Sequence, residues 1–256
     1  MIHRIPFLPK RTDKPRNAGI SMIIDKGLSS IEAQGMADAC EKYIDFVKFG
    51  FGTALISPNL KEKIAIYKNA GIIPYCGGSL FEIFILRNMY SEFVEYIKSL
   101  ELTHVEVSDG SITLDHKKKL QFIEKLSLEF TVISEVGYKT TDRELTDDEW
   151  TKMMLDELSA GSWKVIGEAR ESGTIGIYNA DGSPNRKLID GILEKVPADS
   201  IIWEAPQKAQ QAMFIKLIGS EVNLGNISTS EVIALEALRQ GLRGDTFFEF
   251  IPKSYI

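Results

Sequence analysis

The chain has 256 residues, 44% of them hydrophobic and 26% charged, with a net charge of −6 and a pI near 5.3. This is an ordinary globular composition, and its acidity argues against a nucleic-acid binder, which would carry a basic footprint. No apolar run approaches the roughly 18 residues of a membrane span, and two cysteines, Cys40 and Cys76, are too few for a disulfide scaffold, so a reduced, cytoplasmic protein is expected.

The first 17 residues, basic and proline-rich with no sustained apolar core, read as an extended arm rather than a signal peptide. From there strand and helix signals alternate. Gly19–Gly27 is a strand, and Ser29–Lys42 a weakly patterned helix capped at Ser29 or Ser30. Ile44–Gly52 is the second strand, followed by a helix over Asn59–Asn69 that Gly71 closes. Ile72–Gly78 is the third, and the helical stretch after it should break near Asn88–Ser91.

His104–Gly110 and the helix Leu114–Glu129 form the fourth unit. Thr131–Gly137, a polar loop over Tyr138–Asp147 and a helix around Glu149–Ala160 form the fifth. Val165–Gly173 is the sixth strand, with turn chemistry over Thr174–Asn185 and a helix over Lys187–Glu194. Ile201–Pro206 with the helix Gln207–Ile218, then Glu221–Ile227 with a helix from about Ser230 to Gln240, complete the set. Eight such units in one chain of this length predict an α/β fold, a single (β/α)8 TIM-type barrel over residues 18–256 behind the arm at 1–17. A doubly wound open sheet is the competing fold, but IIDKGLSS after the first strand lacks its glycine-rich phosphate loop.

In such a barrel the ligand site lies at the C-terminal strand ends. Four strands end in a glutamate: Glu106, Glu135, Glu168 and Glu204. Any one alone reads equally well as a solvated surface acid. Together they would repel one another around one ring unless lysines, Arg170 or a divalent cation compensate. Lys26, Lys48 and Lys139 fall at or beside the same ends, while Asp45, Asp109 and Glu171 have a parity that can turn them outward. Only three histidines occur, with no zinc spacing, so a metal would be held by oxygen, which points to Mg²⁺. For an anion, Asn223 and Asn226 of the eighth strand, the Ser228–Ser230 turn and Arg243 offer one cradle, and Gly77-Gly78-Ser79 a competing one. Capping and surface arginines would explain the same residues.

The runs IDKG, YIDFVKFGFGT, GGSLFE, VEVSDGS, SEVGYK, EARESG, EAPQK, VNLGNI and LRQGLRGDTF, in this order from about Arg11 to Phe248, resemble the phosphosulfolactate synthase family, in particular its bacterial branch. Plant heat-tolerance proteins belong to the same family. Two small departures are VGYK, which leaves Lys139 as the lysine immediately after strand five, and NLGNI where NLANI is usual. The resemblance implies an eight-stranded β/α barrel and Mg²⁺-dependent addition of sulfite to C3 of phosphoenolpyruvate, giving (2R)-3-phosphosulfolactate.

On that reading the four glutamates are the metal-ligand pool. Lys139 is the acid that protonates C2, with Lys48 second to it. Lys26, Arg170, Asn223, Asn226 and Arg243 bind the anions. The expected partners are phosphoenolpyruvate, sulfite and further copies of the chain, with neither nucleic acid nor membrane. Two alternatives stand beside this: another barrel enzyme that makes an enolate from a phosphorylated C3 acid, and a non-enzymatic stress-related binding protein.

Overall fold

In the computed structural model, which describes residues 5–139, 145–170 and 172–255, the eight apolar runs become eight parallel strands. They are β1 (Ser21–Asp25), β2 (Phe46–Phe49), β3 (Ile73–Cys76), β4 (His104–Val107), β5 (Thr131–Val136), β6 (Ser162–Gly167), β7 (Ile201–Glu204) and β8 (Leu224–Ser228). Each pairs with the next, and β8 returns to β1 with Ser21 opposite Leu224. Closure leaves no edge strand among the described residues, and rules out the open sheet.

The helices are α1 (Ser30–Cys40), α2 (Leu60–Asn69), α3 (Gly78–Ile85), α4 (Tyr90–Ser99), α5 (His116–Ser127), α6 (Asp147–Ser159), α7 (Arg186–Leu193), α8 (Lys208–Ile218) and α9 (Val232–Arg239). Local chemistry sets several starts. Ser29 with Glu32 and Thr146 with Glu149 form reciprocal capping boxes on α1 and α6, and Asp115 caps α5. The third helical stretch splits into α3 and α4 around Asn88, whose φ is +57°. Among the described residues no helix is long and apolar enough to cross a membrane.

Strand alternation builds two cores. Outward residues such as Val47, Val105, Val165 and Leu224 pack against the helices. Inward residues Met22, Phe46, Tyr75, Ile133, Ile166 and Ile202 fill the barrel itself. Further along β2, β4, β5, β6 and β7 the next inward layer is polar: Lys48, Glu106, Glu135, Glu168 and Glu204, all buried. The apolar layer is the floor on which the charged layer stands.

The opposite, N-terminal rim is closed by the arm, whose first four residues lie outside the described ones. Arg11 pairs with Glu221 and with Glu236, and donates to the Gly19 and Ser220 carbonyls. Arg16 pairs with Asp45 at 3.0 Å. Asp45 also accepts the Ser21 N–H, so it belongs to this rim and not to the site.

His104 plugs the same rim, edge-on to Phe46 and Trp163 at ring distances of 5.3 and 6.1 Å. Burial depresses its pKa from 6.5 to about 4. The unfolded chain therefore binds this proton first as pH falls. The contribution is complete above about pH 6.5 and is lost by about pH 4, at most about 3 kcal/mol. Denaturant titrations of His104→Phe, which keeps the ring contacts, should show a flatter decline across that window than the parent. Parallel declines would remove His104 as a cause of acid sensitivity.

Candidate active site

A cavity of about 500 Å³ opens at the C-terminal strand ends. Lys48 stands near its centre with its ammonium 3.3 Å from Glu106, 3.1 Å from Glu204 and 3.7 Å from Glu135. Lys139, on the loop after β5, lies 2.7 Å from Glu135 and 3.2 Å from Glu168. Burial alone would depress both ammonium groups. The facing carboxylates overrule it and hold both well above the ordinary lysine range.

The four glutamates divide in two ways. Glu135, Glu168 and Glu204 each bring one oxygen within 4.8 Å of the others, with all three buried. Glu106 lines the same cavity but is not one of the three: its oxygens accept from the Gly78 N–H at 2.5 Å and from the Tyr75 hydroxyl at 3.0 Å, beside Lys48. Burial, and then the charge of Glu135, pushes the Glu168 carboxyl far up. Burial would raise Glu135 too, but Lys139 and Lys48 hold it below the ordinary range.

This cluster fits a divalent cation. Even with Glu168 holding a proton, three carboxylates face two ammonium groups. Glu168 Oε2 is buried without a hydrogen bond, although Lys139 lies close. The converging donors are all oxygen, the ligand type of hard cations. The three buried carboxylates thus supply a donor set that could hold a divalent cation.

The anion-binding expectations meet a mixed outcome. Arg170 lines the cavity, held at φ +53° while its N–H donates to Glu168 Oε1. Asn226 also lines it, with Nδ2 3.4 Å from Glu204 Oε2 and Oδ1 buried without a partner. Its φ of +55° breaks the strand alternation, so both Gly225 and Asn226 can face inward. At Gly225 a Cβ would collide with the Met22 side chain.

Asn223 must be corrected. The strand begins at Leu224, not Glu221, so Asn223 falls at the N-terminal rim. There it accepts from the Ile20 N–H at 3.0 Å and donates to the Asp199 and Ile201 carbonyls. Lys26, exposed, and Arg243, 3.4 Å from Asp245, also lie outside the cavity lining. Glu171 lies outside the described residues, as do residues 140–144 of the polar loop.

Other lining residues come from loops and from the start of α3. Phe51, Gly77, Gly78, Ser79, Ser111 and Ser172 complete the wall. The β6 loop is held by α8: Gln210 donates to the Gly173 and Gly182 carbonyls, and Gln207 to that of Ser172. Gly176 (φ +72°) permits the loop's close return, since a Cβ there would run into the Glu168 carbonyl. Of these, only Gly77-Gly78-Ser79 gave a sequence signal, a glycine pair entering a helix.

A family model described as (2R)-phospho-3-sulfolactate synthase (ComA) matches residues 9–245. A phosphosulfolactate synthase of Bacillus subtilis (strain 168) is 42% identical over 246 residues, 94% of this chain and 97% of its own. One of Methanothermobacter thermautotrophicus is 41% identical over 244 residues, covering 93% and 95%. Among solved structures, a 3-hexulose-6-phosphate synthase matches with a TM-score of 0.55 at 13% identity, over 86% of this chain and 99% of that one, a likeness of fold alone. The identity to the curated relatives runs almost end to end and takes in every strand that carries the charged layer, so the chain belongs to the (2R)-phospho-3-sulfolactate synthase family.

Proposed function

We propose that this protein is a phosphosulfolactate synthase, a lyase that joins sulfite to C3 of phosphoenolpyruvate and forms (2R)-3-phosphosulfolactate. The observation that carries the reading is the pairing of one oxygen-donor cluster with two charged lysines in a single cavity. Glu135, Glu168 and Glu204 would hold Mg²⁺, which when bound stabilises the negative charge that spreads from C2 into the substrate carboxylate. Family membership supports Mg²⁺, and so does the all-oxygen donor set.

The chain's own residues divide the remaining work. Lys139, with 18% of its side chain exposed, reaches the cavity and carries a firmly held proton. Such an acid gives its proton to a strong base like the C2 carbanion and not to water. Delivery from a fixed side sets the R configuration. Lys48, enclosed by three carboxylates, holds the ring together by charge. Arg170 and Asn226, at the wall beside Glu168 and Glu204, are the anion contacts. Two mutually repelling anions need such positive groups to meet.

We also place the protein in the cytoplasm, in keeping with the unpaired Cys40 and Cys76. Copies are expected to associate through exposed apolar side chains such as Ile56 and Phe248, which sedimentation would show.

The reaction itself is tested by incubating the protein with phosphoenolpyruvate, sulfite and Mg²⁺ and following ³¹P NMR. A new phosphomonoester signal that vanishes with chelator is expected. No new signal under any divalent metal would remove the enzyme reading in favour of a binding role.

A further inference from the structure

On the outer side of the strand wall, away from the cavity, a second set of charges is sealed between β4, β5, α5 and α6. Its centre is Lys119 of α5, which is fully buried. The ammonium donates to Asp109 Oδ1 at 2.8 Å and to the main-chain oxygen of Glu135 at 2.6 Å, and lies 2.8 Å from Glu157 Oε1. It thus makes two hydrogen bonds and one ion pair, while both Glu157 oxygens and Asp109 Oδ2 are buried without a hydrogen bond. Asp109 and Glu157 are buried as well, and His116 approaches Glu157 at 3.4 Å from the rim.

Such a cluster has no evident stability rationale. The layer between a barrel wall and its helices is normally apolar, as the surrounding Val105, Ile123, Leu126 and Val136 are here. Replacing buried ion clusters by well-packed neutral groups is often neutral or stabilising. The acceptors that Lys119 has chosen point to another purpose. One is the backbone of Glu135, a metal-site carboxylate and a partner of Lys139. Another, Asp109, opens the loop whose Gly110 carbonyl accepts the Lys139 N–H at 2.9 Å. The Lys139 side chain lies against that loop so closely that a Cβ on Gly110 would sit 3.0 Å from its Cγ.

We propose that Lys119 is a positioning residue: from behind the wall it fixes the backbone of Glu135 and, through Asp109 and Gly110, that of Lys139, and so sets the metal donor and the proton donor relative to each other. The inference rests on the roles given above to Glu135 and Lys139. It needs no contact between Lys119 and substrate. Misplacement by about 1 Å can cost about a hundredfold in rate, which makes a fixed backbone at these two positions consequential.

The test uses the full chain carrying Lys119→Met, Asp109→Asn and Glu157→Gln together, so that no carboxylate is left orphaned. Thermal unfolding checks the fold, Mn²⁺ titration reads the metal site, and steady-state kinetics read turnover. The expected result is a folded protein whose Mn²⁺ affinity and kcat each fall at least about tenfold, the range seen for supports of metal ligands. KM for phosphoenolpyruvate should move much less. A purely structural role would lower the melting temperature and leave these ratios alone. A folded triple variant with both values within about twofold of the parent overturns the proposal.

Should the triple variant not fold, Lys119→Arg keeps the charge and alters only the geometry. It must lower kcat for the proposal to stand. A parent protein that binds no Mn²⁺ would sink the metal assignment instead, and kcat alone would then judge Lys119.

Discussion

Glu168→Gln is expected to abolish metal-dependent turnover without unfolding the protein. Glu168 is buried beside Glu135 and its carboxyl is pushed far up, so without a metal it keeps a proton. Glutamine reproduces that neutral form in shape and charge. In chelator the variant should melt close to the parent's temperature, because a neutral amide replaces a neutral carboxyl.

With a divalent cation the two proteins should part. The parent gains stability in proportion to the logarithm of metal concentration over its dissociation constant. The variant, lacking one of three converging carboxylates, should bind Mn²⁺ at least about a hundredfold more weakly. Turnover should fall by about 10³ or more, as when a preorganised electrostatic stabiliser is removed. Melting curves with and without Mn²⁺ settle the matter. An unchanged metal-induced rise in the variant would take Glu168 out of the metal site.

Lys139→Ala carries the second large effect. It should remain folded, since its side chain is partly open to the cavity and its loop is held through backbone contacts. Phosphoenolpyruvate binding should persist, measured by calorimetry, while kcat drops by about 10² to 10⁴, the range of a lost general acid. The residual product should lose its single configuration at C2, because water can deliver the proton from either side. Lys48→Met would behave differently. It strips the ammonium shared by Glu106, Glu135 and Glu204, and such a loss should cost about 3–5 kcal/mol of stability. Unchanged turnover or a stereochemically pure product from Lys139→Ala would move the acid to another group.

The strands and their charged ends were legible because a period of two writes itself directly into sequence. Ile166 and Glu168, or Ile133 and Glu135, share a face by spacing alone, and closing the barrel then brings them into successive layers. Asn223 was misplaced because the count began at Glu221. Val222 and Leu224 look like strand on either side of it, and nothing local marks the N-terminal rim. Asn226 works despite parity because of its left-handed backbone, which no spacing rule foresees.

Glu106 looked identical to its three companions. What separates it is Tyr75 and the Gly78 N–H, contributed by the strand and helix next door, and strand-end chemistry alone does not reveal neighbours. Lys119 did leave a trace: with Ile123 and Leu126 it lies on the buried face of α5, a lysine at an apolar spacing. Such a residue reads as a snorkelling surface lysine until its acceptors are seen.

The clasp made by Arg11 has a bearing on how the chain emerges from the ribosome. One partner, Glu236, is separated from it by 225 residues, and the other lies just before β8. The chain must be synthesised through Glu221, 210 residues beyond Arg11, before this arginine can meet either acid. Until then β1 has no β8 beside it, and the nascent barrel is an open curl with two raw edges. The arm's two ion pairs span the seam where the final strand meets the first, so they need both ends of the barrel in place.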